Sequence, residues 1–339
     1  MGTGLRVTLF GLGPIGAAVG RLIAEKDNAV IVAAIDADPA KAGRDVGELL
    51  GLDRTLGVAV VPDAAAGLAV AADIVVHCTG SYLTSVKEQL IACLSSGHNV
   101  VSTCEELAYP LRKHPEISQE LDEVARGHGV TLHATGVNPG FVMDKLVLTM
   151  SSVCQRVEGA VITRVVDAGR RRLPLQKKVG AGMTEETFRA EVAAGRIKHH
   201  GLPESAALIA DGWGLPVDSI SEVIEPVMAT GRVETEYLVV EPGQVAGVRQ
   251  VCVATNGGAE VLRLVLEMYV GAPDPADVIE LRGTPALTLK VPGGTHGDLA
   301  TAAAVVNAVP LVVSALPGLR TVADLPVRYS ASYPAVSGA

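Results

Sequence analysis

The sequence predicts an α/β chain in two parts: an N-terminal doubly wound domain on a parallel sheet, and a second α+β domain on a largely antiparallel sheet. Three observations predict it. Strand and helix patterns alternate from Leu5 to about Thr135, a glycine triplet stands at the first strand-to-helix junction, and beyond Gly136 the pattern changes to long alternating strands. Leu5 to Phe10 is an apolar strand, Gly11-Leu12-Gly13-Pro14-Ile15-Gly16 is the turn after it, and Ala17 to Ala24 has helical periodicity. Val30 to Ile35 is a second strand ending at Asp36. There follow a helix near Arg44 to Leu50, a strand Ile74 to Cys78, a helix Leu83 to Ser96 and a strand Asn99 to Ser102. A helix from about Glu105 to Arg126, broken around Pro110 and Pro115, leads into strand Val130 to His133. Repeated βα units imply parallel strands with right-handed crossovers, and a ligand site beyond the carboxyl ends of those strands.

The turn formers Gly136-Val137-Asn138-Pro139-Gly140 end this pattern, and a helical stretch from Phe141 to Cys154 follows. Glu158 to Val166, Ile220 to Met228, Glu236 to Val240, Val248 to Ala254 and Leu287 to Val291 alternate as strands. Thr184 to Ala194 and Ser205 to Trp213 read as inserted helices. The Gly293 to Asp298 turn opens a last helix expected to return to the first domain. The expected domains are 1–138, 139–296, a returning helix 297–318, and an arm or tail over 319–339.

Of 339 residues, 48% are hydrophobic, 19% charged and 3% aromatic, so the core is built from Ala, Val, Leu and Ile. The net charge of −9 argues against a nucleic-acid partner, which needs a basic footprint. Cys78, Cys93, Cys104, Cys154 and Cys252 show neither a CxxC pair nor metal-ligand spacing, so reduced thiols, no metal and a cytoplasmic location are expected. No secretory leader is visible, and the apolar stretch Leu299 to Leu316, interrupted by Asn307 and Pro310, reads as a buried helix and not as a membrane span.

The chemistry starts at the glycines. Gly11 permits the tight turn, Gly13 lets backbone approach a pyrophosphate, and Gly16 lets helix and strand pack, the Rossmann fingerprint for a dinucleotide. Leu12, Pro14 and Ile15 complete the loop, whose helix N-terminus favours phosphate. Asp36, 20 residues beyond Gly16, is placed to accept from a ribose; with Asp38 it would repel an added phosphate, which favours NAD over NADP, while Lys41 and Arg44 soften that repulsion. Three further strand ends converge on the nicotinamide position: Cys78-Thr79-Gly80, Ser102-Thr103-Cys104, and the turn carrying Asn138 and Gly140. Ordinary strand-to-helix turns carry the same residue types. Glu105 follows the fourth strand and should stand at the crevice, although Ser102-x-x-Glu105 also fits a helix-capping box. Glu106 reads as a solvated or dipole-complementing charge, and His133, within reach of the crevice, as a satisfied core histidine. Lys145 is a candidate catalytic group whose ordinary reading is a solvated helix lysine, and adjacent His199 and His200 face differently and make no metal pair.

The segments GLGPIG, STCEELAYP, ATGVNPGFVMDKL, RVVDAGRRRLPLQKKVG and GTHGDLATAAAVVNAVP together resemble the 2,4-diaminopentanoate dehydrogenase and native amine dehydrogenase family, similar in architecture to dihydrodipicolinate reductase. The resemblance runs over almost the whole chain. It implies an NAD(P)-dependent enzyme that interconverts a primary amine with a ketone or aldehyde plus ammonia, with Glu105 as the catalytic carboxylate. Phe141, Val142, Leu173 and Leu175 are the candidate apolar wall for the substrate, with plain core packing as the alternative. The second sheet and the apolar composition, with the resemblance, point to a homodimer. His199-His200 is followed here by Gly201 to Ser205, without the lysine and backbone nest of the dihydrodipicolinate reductases, which disfavours diaminopimelate synthesis. Two other readings stand beside the amine dehydrogenase: a 2,4-diaminopentanoate dehydrogenase proper, whose substrate carboxylate needs Arg164, Arg170 or Lys178, and a catalytically silent NAD(P)-binding protein.

Overall fold

The computed structural model describes residues 4–328. The chain divides into two compact units, Met1–Gly140 with Gly297–Ala339, and Phe141–His296. In the first unit β1 (Leu5–Phe10) leads to α1 (Pro14–Ala24), β2 (Ala29–Ile35), α2 (Val46–Leu49), β3 (Val60–Val61) and α3 (Ala64–Leu68). Then come β4 (Ile74–His77), α4 (Leu83–Ser95), β5 (Asn99–Ser102), a 3-10 turn Glu105–Ala108, α5 (Pro115–Gly127) and β6 (Thr131–Ala134). The helix expected over Glu105 to Arg126 is therefore two elements. Pro110 cannot donate a backbone hydrogen bond and bars its predecessor from the helix, while Pro115 is preorganised for a first helical turn.

The second unit begins with α6 (Lys145–Ser151), shorter than the stretch expected from Phe141 because Asp144 caps the Lys145 N–H at 2.6 Å and so fixes the start. It continues with β7 (Arg156–Asp167), the unanticipated α7 (Leu173–Lys178), α8 (Glu185–Ala193), α9 (Leu202–Trp213) and β8 (Ser219–Met228). After the short pair β9 (Val233–Glu234) and β10 (Val239–Val240) come β11 (Val245–Asn256), β12 (Ala259–Tyr269), β13 (Ala276–Thr284) and β14 (Leu287–Pro292). The six-stranded sheet runs β14-β13-β7-β12-β11-β8, and within it only β7 and β12 are parallel. A buried ion pair ties this sheet to the segment that leaves it. Arg164 on β7 donates to Asp277 on β13 at 2.8 Å and to the Thr295 carbonyl, and Asp277 accepts from the Thr295 N–H at 2.7 Å. Breaking such a pair leaves an uncompensated buried charge, at a cost of about 3–5 kcal/mol.

The chain then returns to the first unit as α10 (Gly297–Ser314) and β15 (Gly318–Arg320). The expectation of an arm from residue 319 is corrected here. β15 pairs in parallel with β6, and the Leu319 N–H donates to Asp122 at 2.8 Å, so the chain closes the sheet edge. Residues 329–339, the rest of the expected tail, lie outside the described residues. The seven-stranded sheet runs β15-β6-β5-β4-β1-β2-β3, parallel throughout. Its central strands β4, β5 and β6 are almost wholly buried, as expected of a parallel sheet covered by helices. Val7, Leu9 and Val76 pack under α1 and α10, while Phe10, Val75 and Val100 pack under α4 and α5. α10 is apolar and long enough to cross a membrane, and its Ala302, Val305, Val309 and Val312 are buried in this core.

Candidate active site

The carboxyl ends of β1, β2, β4, β5 and β6 gather the site. At β1, a Cβ on residue 16 would lie 1.9 Å from the Gly11 carbonyl oxygen, so only glycine lets α1 seat on the turn. A Cβ on residue 13 would meet nothing within 4 Å, which leaves the backbone there open to a pyrophosphate. α1 starts at Gly13 with Pro14 in its first turn, without a side-chain cap and without an acidic residue. Its first N–H groups lack helical partners and carry the positive end of the helix dipole, so the loop fits a dinucleotide phosphate.

Asp36, at the end of β2, is tied to this loop. Its Oδ2 accepts from the Leu12 N–H at 2.7 Å and from Lys41 at 2.9 Å, and its Oδ1 accepts from the Asp38 N–H. Burial works to raise the Asp36 pKa, but Lys41 and the two N–H groups outweigh it and hold the carboxyl below its ordinary value. The carboxylate is thus ionised and keeps lone pairs for ribose hydroxyls.

Under the β4 and β5 ends lies a polar network with a buried centre. His77, fully buried, meets Ser102 Oγ at 2.9 Å through Nδ1, and Gln89 and Thr79 at 2.9 Å through Nε2. Ser102 Oγ in turn accepts from the Cys104 N–H at 3.1 Å. Thr79 donates to Gln89 Oε1, so all these groups are satisfied together when Nε2 carries the imidazole proton and Ser102 donates to Nδ1. Burial pushes the His77 pKa down to about 4, and the ring is neutral at physiological pH. The capping box proposed for Ser102 and Glu105 does not form. The 3-10 turn begins at Cys104 without a side-chain cap, and Ser102 is engaged with His77. Burial raises the Cys78 and Cys104 thiols to about 12, so neither is a thiolate nucleophile.

Glu105 leaves this anchored turn and lines a small cavity with Thr103, Thr135, Asn138 and Thr301. Asn138 is 7% exposed, and neither its Oδ1 nor its Nδ2 has a hydrogen-bond partner. The structure thus brings Thr103, Cys104, Glu105 and Asn138 together in one unit. Gly80 lies at the β4 end, and Gly140, at φ +125°, packs against the Gly136 backbone. Thr301 was not anticipated: it sits near the start of α10, distant in sequence, and its hydroxyl accepts from the Val137 N–H at 3.2 Å.

Glu106 is not the solvated charge that its sequence suggested. It is 4% exposed, accepts from the Leu83 N–H at 2.8 Å and pairs with Lys113 at 2.6 Å. The 3-10 geometry turns it inward, where it satisfies a free N–H at the start of α4. His133 is buried with Nδ1 on the Arg320 carbonyl. Lys145 is partly buried, and burial lowers its ammonium pKa, so it is not a freely solvated lysine. In the second unit Val142 is buried, while Phe141, Leu173 and Leu175 are partly exposed. Arg164 is committed to Asp277 and Thr295, and Arg170 pairs with Asp167. Among the described residues, no group of three or more His, Cys, Asp or Glu could hold a metal ion.

Residues 141–334 match the model of the 2,4-diaminopentanoate dehydrogenase C-terminal domain, and residues 5–107 that of the dihydrodipicolinate reductase N-terminus. The chain is 32% identical over 269 residues to a 2,4-diaminopentanoate dehydrogenase of Acetoanaerobium sticklandii, covering 76% of this chain and 74% of that protein. An amine dehydrogenase structure from Mycobacterium smegmatis superposes with a TM-score of 0.85 at 29% identity, over 97% of this chain and 98% of that one. A Bordetella pertussis dehydrogenase solved with NADH and UDP-GlcNAcA shares the fold, at 16% identity and a TM-score of 0.53, over 86% of this chain and 75% of that one.

The neutral His77 generates a pH prediction. The unfolded chain protonates this histidine near 6.5, whereas the folded chain resists until about 4. Stability is therefore full above 6.5 and falls as pH drops toward 4, and His199, pushed down to about 3, acts in the same sense. Calorimetry between neutral pH and pH 5 should show the melting temperature falling, with a shallower fall in His77→Gln. An unchanged slope in that variant would contradict the assignment.

Proposed function

This chain belongs to the 2,4-diaminopentanoate dehydrogenase family, and from that membership we propose that it is an NAD(P)-dependent oxidoreductase interconverting a primary amine with a ketone or aldehyde plus ammonia. The observation that carries the reading is the place of Glu105, a carboxylate on an anchored turn at the same sheet edge as the glycine fingerprint. The dinucleotide, held by the Gly11 to Gly16 loop and Asp36, supplies or accepts a hydride. Glu105 does the acid-base and electrostatic work. In amination it faces the positive charge of the substrate iminium; in deamination it takes a proton from the substrate ammonium. A carboxylate ~4 Å from an iminium at an effective dielectric near 20 contributes about 4 kcal/mol. That is roughly a thousandfold in rate.

Asp36 supports a preference for NAD, because its ionised carboxylate opposes a ribose phosphate; Lys41, paired with it, moderates the preference. The Acetoanaerobium relative favours a second reading, an amino-acid substrate. Lys178 supports it. Among the described residues Lys178 has no ion pair, and it lies within electrostatic reach of His199, whereas Arg164 and Arg170 are already paired.

We also assign the chain to a homodimer through the second unit. Val278, Thr163, Val265, Val251 and Val223 stand side by side across one face of its sheet, and Val223 is 55% exposed. Val251 and Val265 are already covered within the chain, while Val223 with the half-buried Thr163 and Val278 leaves β-branched surface suited to burial against a second copy. Light scattering should give twice the chain mass, and a monomer at working concentration removes the assignment.

The functional reading is tested by steady-state assays with simple carbonyl compounds plus ammonia and with 2,4-diaminopentanoate, each with both cofactors. Ammonia-dependent oxidation of NADH is expected, at a higher kcat/KM than NADPH. Glu105→Gln should lower turnover by about three orders of magnitude, with cofactor affinity and melting temperature retained. Near-normal turnover by Glu105→Gln would overturn the assignment of this residue, and inactivity of the native chain on every substrate would favour a nucleotide-binding protein without catalysis.

A further inference from the structure

Asn307 and Pro310 interrupt the apolar run of α10, and nothing in the site described above uses them. Both line a groove within the first unit, at the amino ends of β1 and β2 and so at the opposite end of the sheet from the glycine loop. Leu5 and Val7 of β1, Ile23 of α1, and Val306 and Val309 of α10 give the groove its apolar lining. Pro310 has no N–H, so the carbonyl of Val306, four residues earlier, lacks its ordinary helical donor. An apolar wall that offers such an acceptor suits an apolar body with a hydrogen-bond donor at its tip.

The chain itself leads there. Beyond β15 the Asp324 carboxylate accepts from the Thr321 N–H at 2.7 Å and from its hydroxyl at 2.8 Å, and Leu325 is buried in the same core as Val7, Ile23 and Val309. Arg328, the last described residue, lines the groove. The eleven residues 329–339 that follow it carry two tyrosines, Tyr329 and Tyr333, and no charged side chain. The family match of the second part of the chain runs to residue 334 and takes in both. A tyrosine combines an apolar ring with a donor at its tip, the two features that the groove matches.

We propose that this groove is the seat of the chain's own segment 329–339, with Tyr329 entering first. Its ring meets the apolar lining, and its hydroxyl donates to the Val306 carbonyl. Because Arg328 already stands at the rim, seating is intramolecular, and a short tether gives an effective concentration on the order of millimolar, so weak contacts suffice. α1 starts at the glycine loop and ends at the groove, while α10 starts beside the Glu105 cavity and lines the groove at mid-length. The seated segment therefore braces both helices from the side away from the chemistry.

The test uses the full chain. Chymotrypsin cuts after tyrosine but not before proline, so of the two tyrosines only Tyr329 offers it a bond, and mass spectrometry reads the cut as loss of residues 330–339. Cleavage there should be about tenfold or more slower in the native chain than in a synthetic peptide of residues 325–339. Asn307→Trp, which fills the groove, should bring the rate to that of the peptide, with retained cofactor affinity as the sign of a folded chain. Tyr329→Ser combined with Tyr333→Ser alters no residue of the described core and should lower the melting temperature by about 2–4 °C. If Asn307→Trp loses the cofactor, the tyrosine variant decides alone. Cleavage of the native chain at the peptide's rate, protection that survives Asn307→Trp, or an unchanged melting temperature in the tyrosine variant would overturn the proposal. Protection that grows with protein concentration would give the groove to a second copy and overturns it as well.

Discussion

The position of Glu105 depends on a buried, uncharged imidazole. His77 stands at the end of β4 with its ring edge-on to Phe10, and its Nδ1 holds Ser102, which holds the Cys104 N–H. The residue after Cys104 is the candidate catalytic carboxylate. A charged His77 would leave Nδ1 unable to accept, and the Ser102 hydroxyl would have to turn away. Burial prevents this by keeping the ring neutral. The same low-dielectric surroundings that make the relay strong make a broken member costly, so the turn is fixed in one arrangement.

Two adjacent glutamates illustrate what such anchoring does. In a regular α-helix Glu105 and Glu106 would diverge by about 100°, and the sequence suggests that the second one faces water. The 3-10 turn sends it instead to the Leu83 N–H and Lys113, where it joins the start of α4 to the same turn. Burial works to raise its pKa, and Lys113 and the Leu83 N–H outweigh it, so Glu106 is an ionised structural anchor. Glu105 lines the cavity. One residue thus stabilises the turn, and its neighbour lines the cavity, a division that residue type alone does not reveal.

Much of the first unit was legible because its signals are local. The glycine spacing, the mainly apolar strands and the position of Asp36 are each contained within a few tens of residues, and the structure has the parallel sheet and open Gly13 backbone that they imply. What sequence did not reveal is non-local. β15 has distant partners only: it pairs with β6, and Asp122, nearly two hundred residues earlier, accepts from Leu319. Thr301 joins the cavity from α10, and the short strand itself has too few residues for a period to be visible. In the second unit β12 and β13 went unassigned although they alternate, and the parallel pairing of β7 with β12 has no local signature at all. Arg164 looked available for a substrate carboxylate until Asp277, over a hundred residues away, proved to hold it.

The central claim is that hydride passes between a nicotinamide and a carbon bonded to nitrogen, beside Glu105. The most direct test supplies NADH deuterated on one face of C4, with a carbonyl compound and ammonia, and analyses the product by mass spectrometry and NMR. The account predicts a primary amine carrying one deuterium on the carbon attached to nitrogen, delivered from one face of the cofactor only. Deuterium in an alcohol, with no labelled amine, would contradict it.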